Sequence, residues 1–267
     1  MRTLTPMTPS SADGTAPGSA AILADIRAEA ERLARATVAQ GLPLRLMGGL
    51  GVWLRAPSVR VPPFAREYAD LDFAAGSGAR GPVKAFFEAQ GYVPEKLFNA
   101  LHGAQRLNYA APDGRWTIDV IFDELAMSHR LDLRGRLATP ESTIPLADLL
   151  LTKLQIWEIN RKDLGDALCL LADHALGESD TDTIDLRRLR TVLGSDWGFC
   201  HTVERNLGKV AELWAEQPAP GASHDVAAQL EALRAAIAGA PKSVAWKARA
   251  RVGERVRWYE TPEEVRH

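Results

Sequence analysis

The pattern of hydrophobic and polar positions predicts a first part in which helices and strands alternate. Between residues 20 and 40 apolar side chains recur at helical spacing, and Gly41-Leu42-Pro43 ends the predicted helix. A short strand over residues 44–47, a sharp turn at Gly48-Gly49 and a second helix from residue 50 follow. A strand is then expected to begin near residue 70. A helix is expected to span residues 82–90.

The strongest local signal is a β-hairpin in the middle of the chain. Residues 106–110 and 115–122 flank Asp113-Gly114, a dipeptide that favours a tight hairpin turn. Another strand is predicted around residues 131–137. After Pro145 the pattern becomes helical, with predicted helices over residues 146–159, 162–175, 185–194, 197–216 and 225–239.

These elements predict an α/β fold in the broad sense, α+β, in which a mixed sheet with flanking helices precedes a helical bundle. The expected division is a disordered leader over residues 1–19, a sheet domain over residues 20–140 and a helical domain over residues 141–267. The leader is expected to be disordered because it is poor in large apolar side chains and rich in helix and strand breakers.

Composition narrows the class of protein only slightly. The chain has 267 residues, a formal net charge of -2 and two cysteines, Cys169 and Cys200, which we interpret as core residues of a cytoplasmic protein. No segment is long and apolar enough for a membrane span, so no membrane partner is expected. Metal-binding histidine spacings, serine-hydrolase elbows and Walker motifs are missing from the sequence.

A basic segment over residues 242–258 stands out near the end of the chain. It contains six lysine and arginine residues, together with Trp246 and Trp258. Such a segment is most often a solvated helix face. It would also suit contact with a phosphate backbone if the protein acts on RNA.

Candidate chemistry is concentrated in three aspartates. Asp70 and Asp72 are separated by one residue, so a strand would place both carboxylates on one face, roughly 7 Å apart along the chain. Asp119 follows in the second strand of the hairpin. Taken singly, each could be an ordinary solvated carboxylate. Together they would form a site for hard divalent cations, which prefer oxygen ligands.

The order of Gly48-Gly49, then Asp70-x-Asp72, then Asp119 resembles the nucleotidyltransferase superfamily with the polymerase-beta-like fold. The resemblance implies that the glycine turn binds the phosphates of an NTP and that the three carboxylates bind two Mg²⁺ ions. One ion would rest mainly on Asp70 and Asp72, and the other would be shared with Asp119.

The segment from Arg66 to Asp72 is similar to the Arg-x-Ser/Thr-x-Asp-x-Asp motif of AbiEii-type proteins, the nucleotidyltransferase-like toxins of abortive-infection and toxin–antitoxin systems. By this resemblance Arg66 and residue 68 belong to the nucleotide-binding site. The chain departs from the motif at Tyr68, where the family commonly has serine or threonine.

Two downstream segments extend the resemblance. By likeness to the same family, Lys153 contacts phosphate or helps to deprotonate the acceptor, and Asp163 completes the site, with Asp166 as a weaker candidate. Two plainer interpretations stay open. The Lys153 stem could pack while its ammonium reaches water. Asp163 could belong to a helix-capping arrangement with Asn160 as the N-cap.

The resemblance implies a Mg²⁺-dependent enzyme that moves an NMP from an NTP to a hydroxyl on an RNA end, a protein or a small molecule. A toxin of this class would have an antitoxin protein as its partner. Two alternatives stay open: a binding module on the same fold that holds a nucleotide or a protein without turnover, and an adenylyltransferase that modifies an antibiotic.

Overall fold

The computed structural model describes residues 22–261 and has an α+β fold, as predicted. The predicted leader over residues 1–19 lies outside the described residues. The first helix, α1 (Ile26–Ala39), begins later than the predicted residue 20 because Asp25 is its N-cap and accepts a hydrogen bond from the Arg27 backbone N–H.

A mixed five-stranded sheet forms the centre of the first part of the described chain. Its strands are β1 (Leu44–Met47), β2 (Asp70–Ala75), β3 (Val93–Pro94), β4 (Arg106–Ala110) and β5 (Thr117–Phe122). They lie in the order β1-β2-β5-β4-β3, and β2 and β5 are parallel whereas the other neighbours are antiparallel. The predicted strand start at Asp70 and the predicted hairpin are both confirmed.

Helices cover one face of this sheet. Helices α1 and α3 (Arg80–Ala89) pack on one face, where Leu71 and Phe73 of β2 are buried with Ile118 and Val120 of β5. Because strand side chains alternate, the residues between them point to the opposite face. Helix α2 (Gly48–Arg55) follows β1, and the short helix α4 (Lys96–His102) precedes β4.

The second part is mainly helical, as predicted. It contains α5 (Leu146–Leu154), α6 (Arg161–Asp173), α7 (Leu186–Ser195), α8 (Trp197–Glu216), α9 (Val226–Ala238) and α10 (Val244–Val252). Two small sheets accompany these helices, one of β6 (Glu124–Ala126) with β7 (Arg130–Asp132) and one of β8 (Leu176–Gly177) with β9 (Ile184–Asp185). Cys169 and Cys200 are buried free thiols.

The strand predicted over residues 131–137 is wrong in its extent, because β7 ends at Asp132. The Asp132 carboxylate accepts hydrogen bonds from the backbone and side chain of Arg134, and Gly135 follows with a positive φ. These local bonds turn the chain, so the backbone cannot continue in the extended form.

The helix predicted over residues 146–159 is also too long, because α5 ends at Leu154. The Asn206 side chain, on α8, donates hydrogen bonds to the carbonyl oxygens of Leu154 and Ile156, each at 2.8 Å. A side chain thus satisfies carbonyl groups that the helix end leaves free. The break allows α6 to begin after its own N-cap at Asn160.

The sheet and the helices are joined along the edge strand β1. The Leu46 backbone N–H donates to the Ser142 carbonyl, and the Ile144 N–H donates to the Leu46 carbonyl, both at 3.0 Å. Val52 and Ala56 belong to the same buried cluster as the helical core. Within residues 22–261, no helix is long and apolar enough to cross a membrane.

Candidate functional site

The parallel pairing of β2 and β5 brings the predicted aspartates together. Asp72 lies directly opposite Asp119, and Asp70 lies opposite Thr117. Neighbouring strands are about 4.8 Å apart, so the side chains of Asp72 and Asp119 are close neighbours on one face of the sheet. Asp70 is exposed and Asp72 is partly buried. The carboxylates therefore gather on the face that α1 and α3 leave uncovered.

The glycine turn lies against this group of carboxylates. Gly48 has a φ of 64° and begins α2, two residues earlier than predicted. A Cβ on Gly48 would overlap the Asp72 carboxylate, and a Cβ on Gly49 would lie 2.8 Å from an Arg66 guanidinium nitrogen. Only glycine therefore lets the start of α2 come this close to Asp72 and Arg66.

We expect Gly48→Ala to destabilise the fold more than Gly41→Ala does. Both glycines have a φ of 64°, but a Cβ on Gly41 would meet no atom within 4 Å. Each substitution incurs the left-handed backbone cost of about 1–2 kcal/mol, and only Gly48→Ala adds a steric clash. Urea unfolding of the two variants checks this. Equal losses in the free energy of unfolding would contradict the close packing of Gly48 on Asp72.

Asp72 lies in an environment that disfavours its negative charge. Burial raises its pKa to about 7, with further increases from Asp70 and Asp119 that the positive charges of Lys153 and Arg106 only partly offset. A bound divalent cation would reverse this effect, because it would stabilise the ionised carboxylates. Positive charge beside Asp72 is therefore what a bound cation would add to this site.

The free energy of unfolding should depend on pH through Asp72 when no metal is bound. Its pKa of about 7 in the folded state exceeds the unfolded value near 4, so the stabilising proton is lost as the pH rises through about 7. Asp72→Asn cannot lose this proton. In EDTA, the free energy of unfolding of the variant should therefore exceed that of the wild type by more at about pH 8 than at about pH 5. A pH-independent difference in urea unfolding would contradict this environment.

Arg106 forms an ion pair with the third carboxylate, Asp119, which the sequence predicts to be a metal ligand. Its Nε lies 2.6 Å from Asp119 Oδ1 and its Nη2 lies 2.5 Å from Oδ2, a two-pronged ion pair. Within residues 22–261, no group of three or more histidine, cysteine, aspartate or glutamate side chains is arranged to hold a metal ion. Both oxygens of Asp119 are thus engaged by Arg106, whereas Asp70 and Asp72 form no ion pair among the described residues.

Arg106 was not among the residues selected from the sequence, although a signal for it exists. In the hairpin, Asn108 lies opposite Asp119, so Arg106 is the diagonal neighbour of Asp119 on the same face. If the residues of the hairpin are paired outward from the Asp113-Gly114 turn, Asn108 falls opposite Asp119, which would have suggested this contact. The Arg106 guanidinium also lies 5.9 Å from the centre of the Phe98 ring on α4.

Lys153 lies at the centre of a buried ionic network. Its ammonium is 2.8 Å from Asp163 Oδ1 and 3.0 Å from Asp166 Oδ2. Although burial opposes it, the attraction of Asp166 and Asp163 raises the pKa of Lys153 above its ordinary value, so the side chain stays charged. The interpretation in which the ammonium reaches water is therefore wrong.

Arg66 and Asn160 complete this network. The Arg66 guanidinium donates two hydrogen bonds to Asp166, at 2.5 and 2.8 Å, and the Asp166 side chain is fully buried. Asn160 accepts a hydrogen bond from the Asp163 backbone N–H, which confirms the predicted cap. Asp166, the weaker candidate from sequence, thus joins Arg66 to Lys153.

Tyr68 brings an unsatisfied hydroxyl to the same region. Its ring packs beneath the Arg66 guanidinium at 4.8 Å and lies beside Gly49. The buried hydroxyl has no hydrogen-bond partner among the described residues. A buried polar group without a partner is costly, so a ligand that accepts or donates a hydrogen bond here would be favoured.

The basic segment near the chain end is partly used in packing. Arg249 donates hydrogen bonds to the carbonyl oxygens of Gly253 and Val256, and the Trp258 ring packs edge-on against Trp157 at 4.8 Å. Trp157 belongs to the loop that joins α5 to α6. The segment is therefore anchored beside the loop between Lys153 and Asp163.

Comparison with known proteins identifies no family. No protein-family model matches the chain, and no curated protein matches it significantly. Among solved structures, it is similar to "Crystal structure of JHP933 from Helicobacter pylori", with 12% sequence identity and a TM-score of 0.32, over 88% of this chain and 100% of that chain. A likeness at this level supports no inference about fold or function.

Proposed function

We propose that the protein is a Mg²⁺-dependent nucleotidyltransferase that moves an NMP from an NTP to an acceptor hydroxyl. The observation that carries the proposal is the close approach of the glycine turn to Asp72. Asp119 lies directly opposite Asp72 on the neighbouring strand. A helix start offers backbone N–H groups to phosphate, and carboxylates beside it hold the cation that accompanies a nucleotide.

In this proposal, the start of α2 binds the triphosphate, with the free Tyr68 hydroxyl as an additional hydrogen-bonding group. Asp70 and Asp72 would hold the Mg²⁺ ion, which supplies positive charge to the phosphates and the leaving group. The positive charge of Lys153 offsets part of the repulsion at Asp72, although Asp163 and Asp166 balance that charge locally. Because Lys153 stays protonated, we assign it an electrostatic role and not that of a base.

The proposed reaction forms a bond between the acceptor oxygen and the α-phosphorus. The bond from that phosphorus to the bridging oxygen breaks, and pyrophosphate leaves with the bonding electrons. The hydroxyl proton passes to a carboxylate of the site. Positioning and electrostatic stabilisation of the developing charge provide most of the rate enhancement in chemistry of this kind.

Parallel reactions with α-labelled and γ-labelled NTPs test this proposal. The purified protein would be incubated with Mg²⁺, each of the four labelled NTPs and either bulk cellular RNA or cellular protein. The α-label should enter an acceptor, and the γ-label should be released as pyrophosphate. Transfer of the γ-label would indicate a kinase instead. Absence of both would contradict nucleotide transfer to these two acceptor classes, and an aminoglycoside panel extends the assay to small molecules.

The acceptor and the biological role are part of the same proposal. An RNA end, a protein or a small molecule such as an antibiotic would suit the chemistry, and the site would operate in the cytoplasm. A toxin role predicts that expression of the chain alone arrests growth and that Asp72→Asn relieves the arrest. Co-expression of a neighbouring gene that restores growth would identify an antitoxin partner.

One observation favours a second candidate, a nucleotide-binding module without turnover. Arg106 neutralises the charge of Asp119, which weakens the attraction of this carboxylate for a second ion. A module of this kind would retain labelled NTP in a filter assay and would transfer no label to any acceptor. The labelled-NTP assay therefore separates the two candidates.

A further inference from the structure

The Arg106–Asp119 ion pair places a positive charge beside the carboxylate that, by the resemblance, would share a second metal ion. Both oxygens of Asp119 are engaged by one guanidinium, and the Asp119 side chain is only 14% exposed, whereas that of Arg106 is 41% exposed. Each oxygen keeps a further lone pair, but a cation bound there would lie close to the positive guanidinium, and this repulsion disfavours a second ion. The Phe98 ring lies beside this guanidinium, with its centre 5.9 Å from Arg106 Cζ.

The charges around the site agree with one divalent ion. Asp70, Asp72 and Asp119 carry three negative charges when ionised, and Arg106 neutralises one of them. The neighbouring network contributes no net charge, since Lys153 and Arg66 balance the two acids Asp163 and Asp166. Two negative charges therefore remain, which one divalent cation would neutralise.

We infer that Arg106 replaces the second metal ion of a two-ion site, so that the protein binds a single divalent cation on Asp70 and Asp72. This inference rests on the proposed function and specifies which groups supply the positive charge in that site. The guanidinium would supply positive charge beside Asp119, where the resemblance places the second ion. Unlike an ion, it is held permanently by the chain and does not depend on the metal concentration.

Counting bound Mn²⁺ ions tests the inference without any activity measurement. Free Mn²⁺ would be followed by electron paramagnetic resonance during titration into the full chain at about pH 8. We expect one ion per chain for the wild type, one for Arg106→Lys and two for Arg106→Gln. The double variant Arg106→Gln/Asp119→Asn should return to one. Arg115→Gln, which alters an exposed arginine paired with Asp113 in the hairpin, should also bind one.

Two results would overturn the inference. Two ions on the wild-type protein would show that Arg106 does not exclude the second, and nucleotide transfer could still be intact. No ion at all would contradict the proposed function as well. If Arg106→Gln fails to fold, Asp119→Asn alone provides the check. This variant should still bind the single ion, whereas a two-ion site would lose one ion on the same substitution.

Discussion

Asp72→Asn should lower the rate of nucleotide transfer by at least about 100-fold, or roughly 3 kcal/mol of transition-state stabilisation. The substitution removes a negative charge from the cation site and leaves an amide of nearly the same size. Because burial, Asp70 and Asp119 disfavour that charge in the metal-free protein, the variant should fold at least as well as the wild type. Loss of activity would therefore not reflect unfolding.

Initial rates with α-labelled NTP at saturating Mg²⁺ provide the measurement for Asp72→Asn. Asp113→Asn is the matched control, since Asp113 is an exposed carboxylate at the hairpin turn and pairs with Arg115. It should retain the wild-type rate. A rate for Asp72→Asn within about twofold of the wild type would show that the carboxylate takes no part in transfer.

Asp166→Ala should destabilise the fold by about 3–5 kcal/mol. Its fully buried carboxylate accepts two hydrogen bonds from Arg66 and pairs with Lys153 at 3.0 Å. Truncation leaves two positive charges beside an apolar region with only Asp163 to balance them. The uncompensated charge, more than the lost contact, accounts for the expected size of the effect.

Urea unfolding of Asp166→Ala tests this prediction against an exposed ion pair. Glu216→Ala removes the partner of Arg161, and both of these side chains are about two-thirds exposed, at 64% and 66%. We expect that control to change the free energy of unfolding by less than about 1 kcal/mol. A similarly small change for Asp166→Ala would show that the network does not stabilise the fold.

Local features of the site were predictable from the sequence. The strand beginning at Asp70 follows from its proline-rich approach, and the Asp113-Gly114 hairpin follows from turn chemistry. The N-cap at Asn160 is likewise a local preference. In each case, residues within a few positions of one another determine the conformation.

Features that depend on distant residues were not predictable in the same way. Helix α5 ends at Leu154 with the help of Asn206, which lies about fifty residues further along the chain. The sequence alone did not establish that β2 pairs with β5 in parallel, with Asp72 beside Asp119. Asp166 was a weaker candidate because its partner Arg66 lies 100 residues away.

The most direct test of the central claim is a crystal structure with Mn²⁺ and an NTP analogue that resists cleavage between the α- and β-phosphates. We predict one anomalous Mn²⁺ peak bonded to carboxylate oxygens of Asp70 and Asp72. The triphosphate should lie on the start of α2 at Gly48 and Gly49, within hydrogen-bonding distance of the Tyr68 hydroxyl. A nucleotide bound elsewhere, or an ion that does not contact Asp72, would contradict the account.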